Sequence, residues 1–248
     1  MKRLLKRILS FGPLSRFPVR VRQGLAKGAW WSLYPATVYW RQGGGHPAID
    51  KILLQHACQL GSVAWDLGAH LGLYTVGIAR HVGEDGQVVA FEPDAVSRRR
   101  LELHVARNGL KNVLVIGAAA GSATGEGVLL QDETFGGTSP HLAFSERNTA
   151  AIPWVALDDL VAGNKIPLPQ FIKIDVGGHG GRALDGMRRS LTRSRPVLLM
   201  TFHGGDENRQ AASLLQSLNY GCHELDGVPC PWPTREYHGD LLLMPKKE

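Results

Sequence analysis

A chain of 248 residues with 44% hydrophobic and 20% charged side chains holds enough apolar material for one substantial core, and is short for two independent catalytic domains. Its thirty glycines and fourteen prolines suit a loop-rich α/β enzyme and exclude a collagen-like chain. The net charge of +6 is concentrated: residues 1–49 hold nine Lys or Arg and no carboxylate, whereas the remainder holds 19 basic and 22 acidic side chains, which argues against a domain-wide nucleic-acid surface.

The chain opens on the basic stretch MKRLLKR, where Leu4, Leu5, Ile8, Leu9 and Phe11 interleave with cations at near-helical spacing. A membrane-surface helix has this pattern, and so does a solvated tail or a helix packed on the domain. Gly12 and Pro13 cut the apolar run and no small-residue cleavage site follows, so it is not read as a secretory signal. No window reaches the roughly 18 consecutive apolar residues of a membrane span. The cysteines Cys58, Cys222 and Cys230 are odd in number and lack a paired metal-ligand spacing, so neither a disulfide framework nor a structural zinc site is expected. The expected location is the cytoplasm, with residues 1–27 a candidate peripheral contact at the inner membrane surface. Trp30, Trp31, Tyr34, Tyr39 and Trp40 then form an aromatic cluster suited to capping a pocket, a lipid interface, a dimer contact or core packing around Pro35. Composition thus divides the chain into a basic, aromatic extension over 1–47 and a catalytic domain over 48–248.

From residue 48 the pattern is regular. Residues 48–60 read as a helix with Ile49, Ile52, Leu53, His56 and Ala57 on one side, stopped by Gly61. Short apolar runs at 62–66, 87–92, 112–118, 171–175 and 196–202, bracketed by Gly, Asp or Pro, read as buried parallel strands. Helix-length segments at 73–82 and 94–109 separate the first three. This alternation predicts a doubly wound, Rossmann-like α/β sheet with ligands at the carboxyl ends of its strands. Residues 131–150 read as a long loop or lid, and residues 220–245 as a terminal antiparallel pair.

The chemical signal starts at the first strand, VAWDLGAHLG. Gly68 and Gly72 allow a tight turn and close backbone approach to a ligand, ahead of a helix N-terminus. Asp66 precedes the turn and Glu92 ends the second strand, where a carboxylate accepts both ribose hydroxyls of a nucleoside. An anion at Asp66 suits a cationic amino-acid moiety and not a pyrophosphate, which favours S-adenosylmethionine over a dinucleotide. A structural turn with Asp66 as a helix cap is the alternative.

The blocks WDLGAHLGLYT, VVAFEPD, HVARNGLKNVLVIGAAAG, VALDDL and FIKIDVGGHGGRALDGM resemble, in order and spacing, the FkbM family of methyltransferases over roughly residues 48–203. The resemblance implies a class I methyltransferase fold, S-adenosylmethionine as cofactor, and O-methylation of a hydroxyl on a sugar, glycolipid or polyketide-type product. By position it assigns Asp66, Gly68, His70, Gly72, Thr75, Glu92 and Ala118 to the cofactor. Here His70 replaces the family's usual Asn. After the fourth strand the family pattern reads Asp-Val-Glu-Gly-His-Glu, and this chain carries Gly177 and Gly180 in place of the two glutamates.

Methyl transfer to an alcohol needs in-line positioning and a proton acceptor. Asp175, at a strand end, is the candidate to orient the acceptor, and His179 the candidate base; helix capping and loop hydrogen bonding are the structural alternatives. His203, ending the fifth strand, is a weaker candidate. No metal site is expected. Two other readings stay open: a cofactor-binding module without catalysis, motivated by Gly177 and Gly180, and a nicotinamide-dependent oxidoreductase, against which stand Asp66 and the missing Gly-x-Gly. The acceptor is expected to be a small molecule or glycan.

Overall fold

The computed structural model describes residues 17–33, 46–129 and 150–246. Within them the chain runs through β1 (Pro18–Arg20), β2 (Trp30–Ser32), α1 (Pro47–Ile52), β3 (Val63–Leu67), α2 (Leu73–Val82), β4 (Gln87–Phe91), α3 (Ala95–Arg107), β5 (Val113–Ile116), β6 (Ala119–Ala120), β7 (Gly125–Leu129), β8 (Ala150–Val155), α4 (Leu157–Ala162), β9 (Phe171–Ile174), α5 (Gly180–Asp185), α6 (Arg188–Ser194), β10 (Val197–His203), α7 (Gly205–Ser217), β11 (Tyr220–His223) and β12 (His238–Pro245).

Seven strands form the main sheet in the order β11-β12-β10-β9-β3-β4-β5. The five from β10 to β5 are mutually parallel, and β12 runs antiparallel between β10 and β11. Each parallel strand is short and apolar on both sides because helices cover both faces. Trp65, Leu67, Ile172, Ile174, Leu198 and Met200 face the core layer that α5, α6 and α7 close with Leu184, Leu191 and Leu215. Ala64, Val88, Phe171, Leu199 and Leu242 face the opposite layer, closed by Ile49, Ile52, Leu53, Ile78 and Val82. Successive strands leave β3 in one direction through β4 and β5 and in the other through β9 and β10. The sheet order therefore reverses between β3 and β9, the position where a doubly wound sheet opens a crevice.

The strands lie within one or two residues of the sequence expectation, and the terminal antiparallel pair forms. The first helix differs: α1 ends at Ile52 and continues as a π-helical turn, Leu53–Ala57, while Gly61, at φ +75°, belongs to a later turn and does not cap the helix. Asp94 caps α3 by accepting from the Ser97 backbone N–H at 2.7 Å.

The β1–β2 hairpin packs on the domain. Trp31 is fully buried with Val21, Ala26, Ala29, Leu71 and Val76, and its ring stacks on His104 of α3 at 3.6 Å. His104 accepts from the Ser32 N–H at 3.2 Å and donates from Nδ1 to the Leu71 carbonyl at 2.8 Å. Trp30 is exposed, with the Arg20 guanidinium 3.7 Å over its ring. Cys222 and Cys230 face each other as free thiols, Sγ to Sγ 3.4 Å. The basic stretch before residue 17 and the remaining aromatics Tyr34, Tyr39 and Trp40 lie outside the described residues, as does the expected loop or lid at 131–150 except for Ala150, which begins β8.

Candidate active site

A cavity of about 490 Å³ opens along the carboxyl ends of the parallel strands. Its size is that of an ordinary small-molecule pocket, roughly 300–1,000 Å³. Asp66, Gly68, His70, Glu92, Ala118, Asp175 and His179 all wall it, so residues 66 to 179 of the sequence-derived set converge on one space. Gly72 and Thr75 stand behind that wall: Gly72 begins α2 against Leu101, and Thr75 is fully buried.

One end of the cavity is held by short, directed hydrogen bonds. Asp66 is 1% exposed, and its Oδ2 accepts from Thr75 Oγ1 at 2.6 Å, so the carboxylate is tied to α2 through a side chain and does not cap it. Asp66 Oδ1 is buried without a hydrogen bond. The loop folds over the end of β4, with the Gly68 and Ala69 N–H groups both donating to the Phe91 carbonyl at 3.0 Å. His70 takes φ +51°, a conformation that Asn and His enter more readily than most residues, which accounts physically for this His-for-Asn exchange. Its N–H donates to Glu92 Oε2 at 2.7 Å, and the Asp94 N–H donates to Glu92 Oε1 at 2.9 Å. Burial raises the Glu92 carboxyl to about 7 against the lowering effect of those two N–H groups, with the Asp94 and Asp66 charges adding to the rise. Gly68 walls the cavity and also serves a structural purpose. A Cβ there would run into the Asp175 carbonyl, so glycine permits the close passage of the β3 loop over the end of β9.

The other end is held by ion pairs. Lys173 on β9 is the register partner of Asp66 on β3, and its ammonium lies 3.7 Å from Asp66 Oδ1 and 3.6 Å from Asp175 Oδ2. Burial opposes its charge, but Asp175, Asp66 and Asp240 together raise its pKa above the ordinary lysine value. The cation beside Asp66 is thus supplied by the protein. On the far side of Asp175, His203 Nε2 lies 3.7 Å from Oδ1, and His203 Nδ1 lies 3.6 Å from the buried Glu207. Burial pushes His203 down, yet Glu207, Asp175 and Asp240 outweigh it and the imidazole titrates above its usual value. His179 sits at the start of α5 with its ring edge-on to Trp154 at 5.6 Å.

Glu207 also bears on Gly180. Its Oε1 accepts from the Gly180 N–H at 2.6 Å, and a Cβ at 180 would meet that same oxygen at 2.6 Å as well as the Met200 methyl. A buried carboxylate from α7 therefore occupies the space beside residue 180, and a larger residue there must push the Glu207 and Met200 side-chain tips aside. Lys173, Glu207, Thr201 and Asp240 were missed in the sequence. Lys173 alone left a trace, a charge inside the apolar run FIKI of a strand buried on both faces.

The methyltransferase FkbM domain model matches residues 66–226. The chain belongs to the FkbM methyltransferase family. It is an S-adenosylmethionine-dependent methyltransferase with a class I, Rossmann-like sheet, and neither the nicotinamide reading nor the non-catalytic reading is favoured. The hexuronic acid methyltransferase AglP of Haloferax volcanii is 25% identical over 171 residues, which cover 69% of this chain and 68% of that protein. Among solved structures, an FkbM methyltransferase from Methylobacillus flagellatus is similar at 21% identity and a TM-score of 0.49, covering 74% of this chain and 43% of that one. A SAM-dependent O-methyltransferase from Thermotoga maritima is similar at 13% identity and a TM-score of 0.49, covering 88% of this chain and 68% of that one. Among the described residues no helix is long and apolar enough to cross a membrane.

The residues present fit the cofactor. Asp66 Oδ1 is an acceptor without a hydrogen bond beside the cavity, and each Glu92 oxygen accepts only one backbone N–H, which leaves lone pairs for ribose hydroxyls.

Proposed function

We propose that this family member methylates a hydroxyl oxygen on a sugar, glycolipid or natural-product-type small molecule. The observation that carries the reading is the position of Asp175, a half-exposed carboxylate that walls the cavity just past the end of β9. The likeness to a hexuronic acid methyltransferase supports an acceptor of sugar type.

When bound, the cofactor supplies an electrophilic methyl group on a sulfonium. Glu92, His70, Gly68, Asp66 and Ala118 form its wall, with Gly72 and Thr75 supporting the loop and Asp66 from behind. Asp175, flanked by Lys173 and His203, accepts a hydrogen bond from a second hydroxyl of the acceptor and so orients it, leaving the reacting hydroxyl's proton for a separate base. His179, on the same cavity wall, takes the proton. Positioning supplies most of the rate in this scheme, and a general base adds roughly 10²- to 10⁴-fold. Calorimetric titration of wild type and Glu92→Ala with S-adenosylmethionine and S-adenosylhomocysteine tests the cofactor wall: affinity falls about 100-fold in the variant, since two hydroxyl bonds to a charged group are lost. Equal affinity in the variant refutes the assignment of Glu92. His179→Ala is expected to lower turnover with cofactor affinity intact, and unchanged turnover removes His179 from the mechanism.

The enzyme is further proposed to work in the cytoplasm, with its basic N-terminal stretch contacting the inner membrane surface. Val21, Leu25 and Ala26 are buried in the domain, so the truncation that tests this must stop before β1. Salt-sensitive binding to anionic vesicles that disappears on deleting residues 1–16 supports the contact, and equal binding by the truncated chain refutes it.

A further inference from the structure

The cavity continues past Asp175 to Thr201 on β10 and Asp240 on β12, two residues that the cofactor wall does not use. They are register partners, and Thr201 Oγ1 donates to Asp240 Oδ1 at 2.6 Å. That bond uses the Thr201 proton and one Asp240 lone pair, leaving the hydroxyl oxygen and the rest of the carboxylate as acceptors. One strand row behind them, the buried pair of Asp66 and Lys173 closes the floor. Tyr74 of α2 walls the same end, its ring 5.4 Å from the Lys173 ammonium. Acceptor-rich polar groups beside an aromatic face suit a ligand that is itself rich in hydroxyl donors.

The charge at this end selects further. Lys173 is the only Lys or Arg that walls the cavity among the described residues, and its ammonium is already shared between Asp66 and Asp175. A carboxylate on the ligand would face Asp175 and Asp240, with Lys173 and His203 already paired to Asp175. We propose that Asp175, Thr201 and Asp240 form the acceptor subsite, and that it takes an uncharged, hydroxyl-rich molecule such as a neutral sugar ring in preference to a uronic acid. This assignment rests on the methyl-transfer reading and narrows its substrate class, in the direction opposite to the hexuronic acid relative.

The test uses the full chain loaded with S-adenosylhomocysteine, titrated calorimetrically with methyl glycosides of neutral hexoses and with the matching hexuronates. Neutral glycosides are expected to bind at least about tenfold more tightly, the ratio set by like charges brought to close range. Asp240→Asn, which keeps an oxygen for Thr201, should shrink that preference to under about threefold with S-adenosylhomocysteine affinity unchanged. Thr201→Val should weaken the neutral glycosides and leave the cofactor product untouched. Hexuronates that bind as tightly as their neutral counterparts overturn the assignment, and so does a loaded protein that binds no neutral glycoside. A change of S-adenosylhomocysteine affinity in Asp240→Asn also overturns it, by placing Asp240 in the cofactor site. Failure of the wild-type chain to bind S-adenosylhomocysteine is a distinct result, which overturns the methyl-transfer reading and this subsite with it.

Discussion

The two ends of the cavity are built from different interactions. At the Glu92 end, backbone N–H groups and one hydroxyl meet carboxylates at 2.6 to 2.9 Å. At the Asp175 end, carboxylates also meet the charged side chains Lys173 and His203 at 3.6 to 3.7 Å, beside the 2.6 Å bond from Thr201 to Asp240. Short hydrogen bonds are directional and fix geometry, whereas ion pairs at the longer distance hold charge in place and leave orientation adjustable. A cofactor that is the same in every turnover suits the first, and an acceptor that must enter, align and leave suits the second.

Lys173→Met is the strongest way to break this contrast. It leaves Asp66 and Asp175 without their shared buried cation, and removing one partner of a buried pair costs about 3–5 kcal/mol. A large drop in Tm is expected; a variant as stable as wild type would show that the ion pairs contribute nothing to the Asp175 end. Next comes the prop beneath the glycine loop. Burial, with help from the Arg107 and Arg100 charges, lowers His104 to about 4 despite its bond to the Leu71 carbonyl. With the folded pKa below the unfolded value near 6.5, the folded state resists protonation, so stability is complete above pH 6.5 and falls as pH drops toward 4. The loss is about 3 kcal/mol, seen as earlier chemical unfolding and loss of Trp31 burial by fluorescence. A His104→Phe variant that keeps the same acid sensitivity would assign it to another group.

Gly180→Ala probes the Glu207 carboxylate. The added methyl meets Glu207 Oε1 and Met200, so overpacking of about 1–3 kcal/mol is expected, relieved in part when Glu207→Ala is combined with it. Strict additivity of the two changes would refute the steric account. The smallest effect is a pH dependence at the Glu92 end. Ribose hydroxyls bind the ionised carboxylate, and Glu92 titrates near 7, so cofactor affinity should rise roughly tenfold between pH 6 and pH 8. In the absence of cofactor the sign for stability is opposite: a carboxyl raised on folding stabilises at low pH, and that contribution fades as pH rises from its unfolded value through 7. A pH-independent affinity, or one matched by Glu92→Gln, would remove Glu92 from this linkage.

Much of the Glu92 end was legible in the amino-acid order because its parts are local. Asp66, Gly68, His70 and Gly72 lie within seven residues, and Glu92 ends the next strand, so the strand–turn–helix signature carries them together. The strands were legible for the same reason, since short apolar runs between Gly, Asp and Pro report burial on both faces. The break of the first helix at Ile52 was not, because the π turn that follows has the same apolar spacing as a continued helix.

The sequence by itself therefore determined the main sheet, the family and the glycine loop, all encoded in contiguous patterns of polarity and glycine. Only the tertiary structure decided that Lys173 serves two aspartates, that Gly180 makes room for Glu207, and that Thr201 and Asp240 extend the cavity. Those groups come from strands and a helix far apart in the chain, and their pairing depends on strand register, which local composition does not specify.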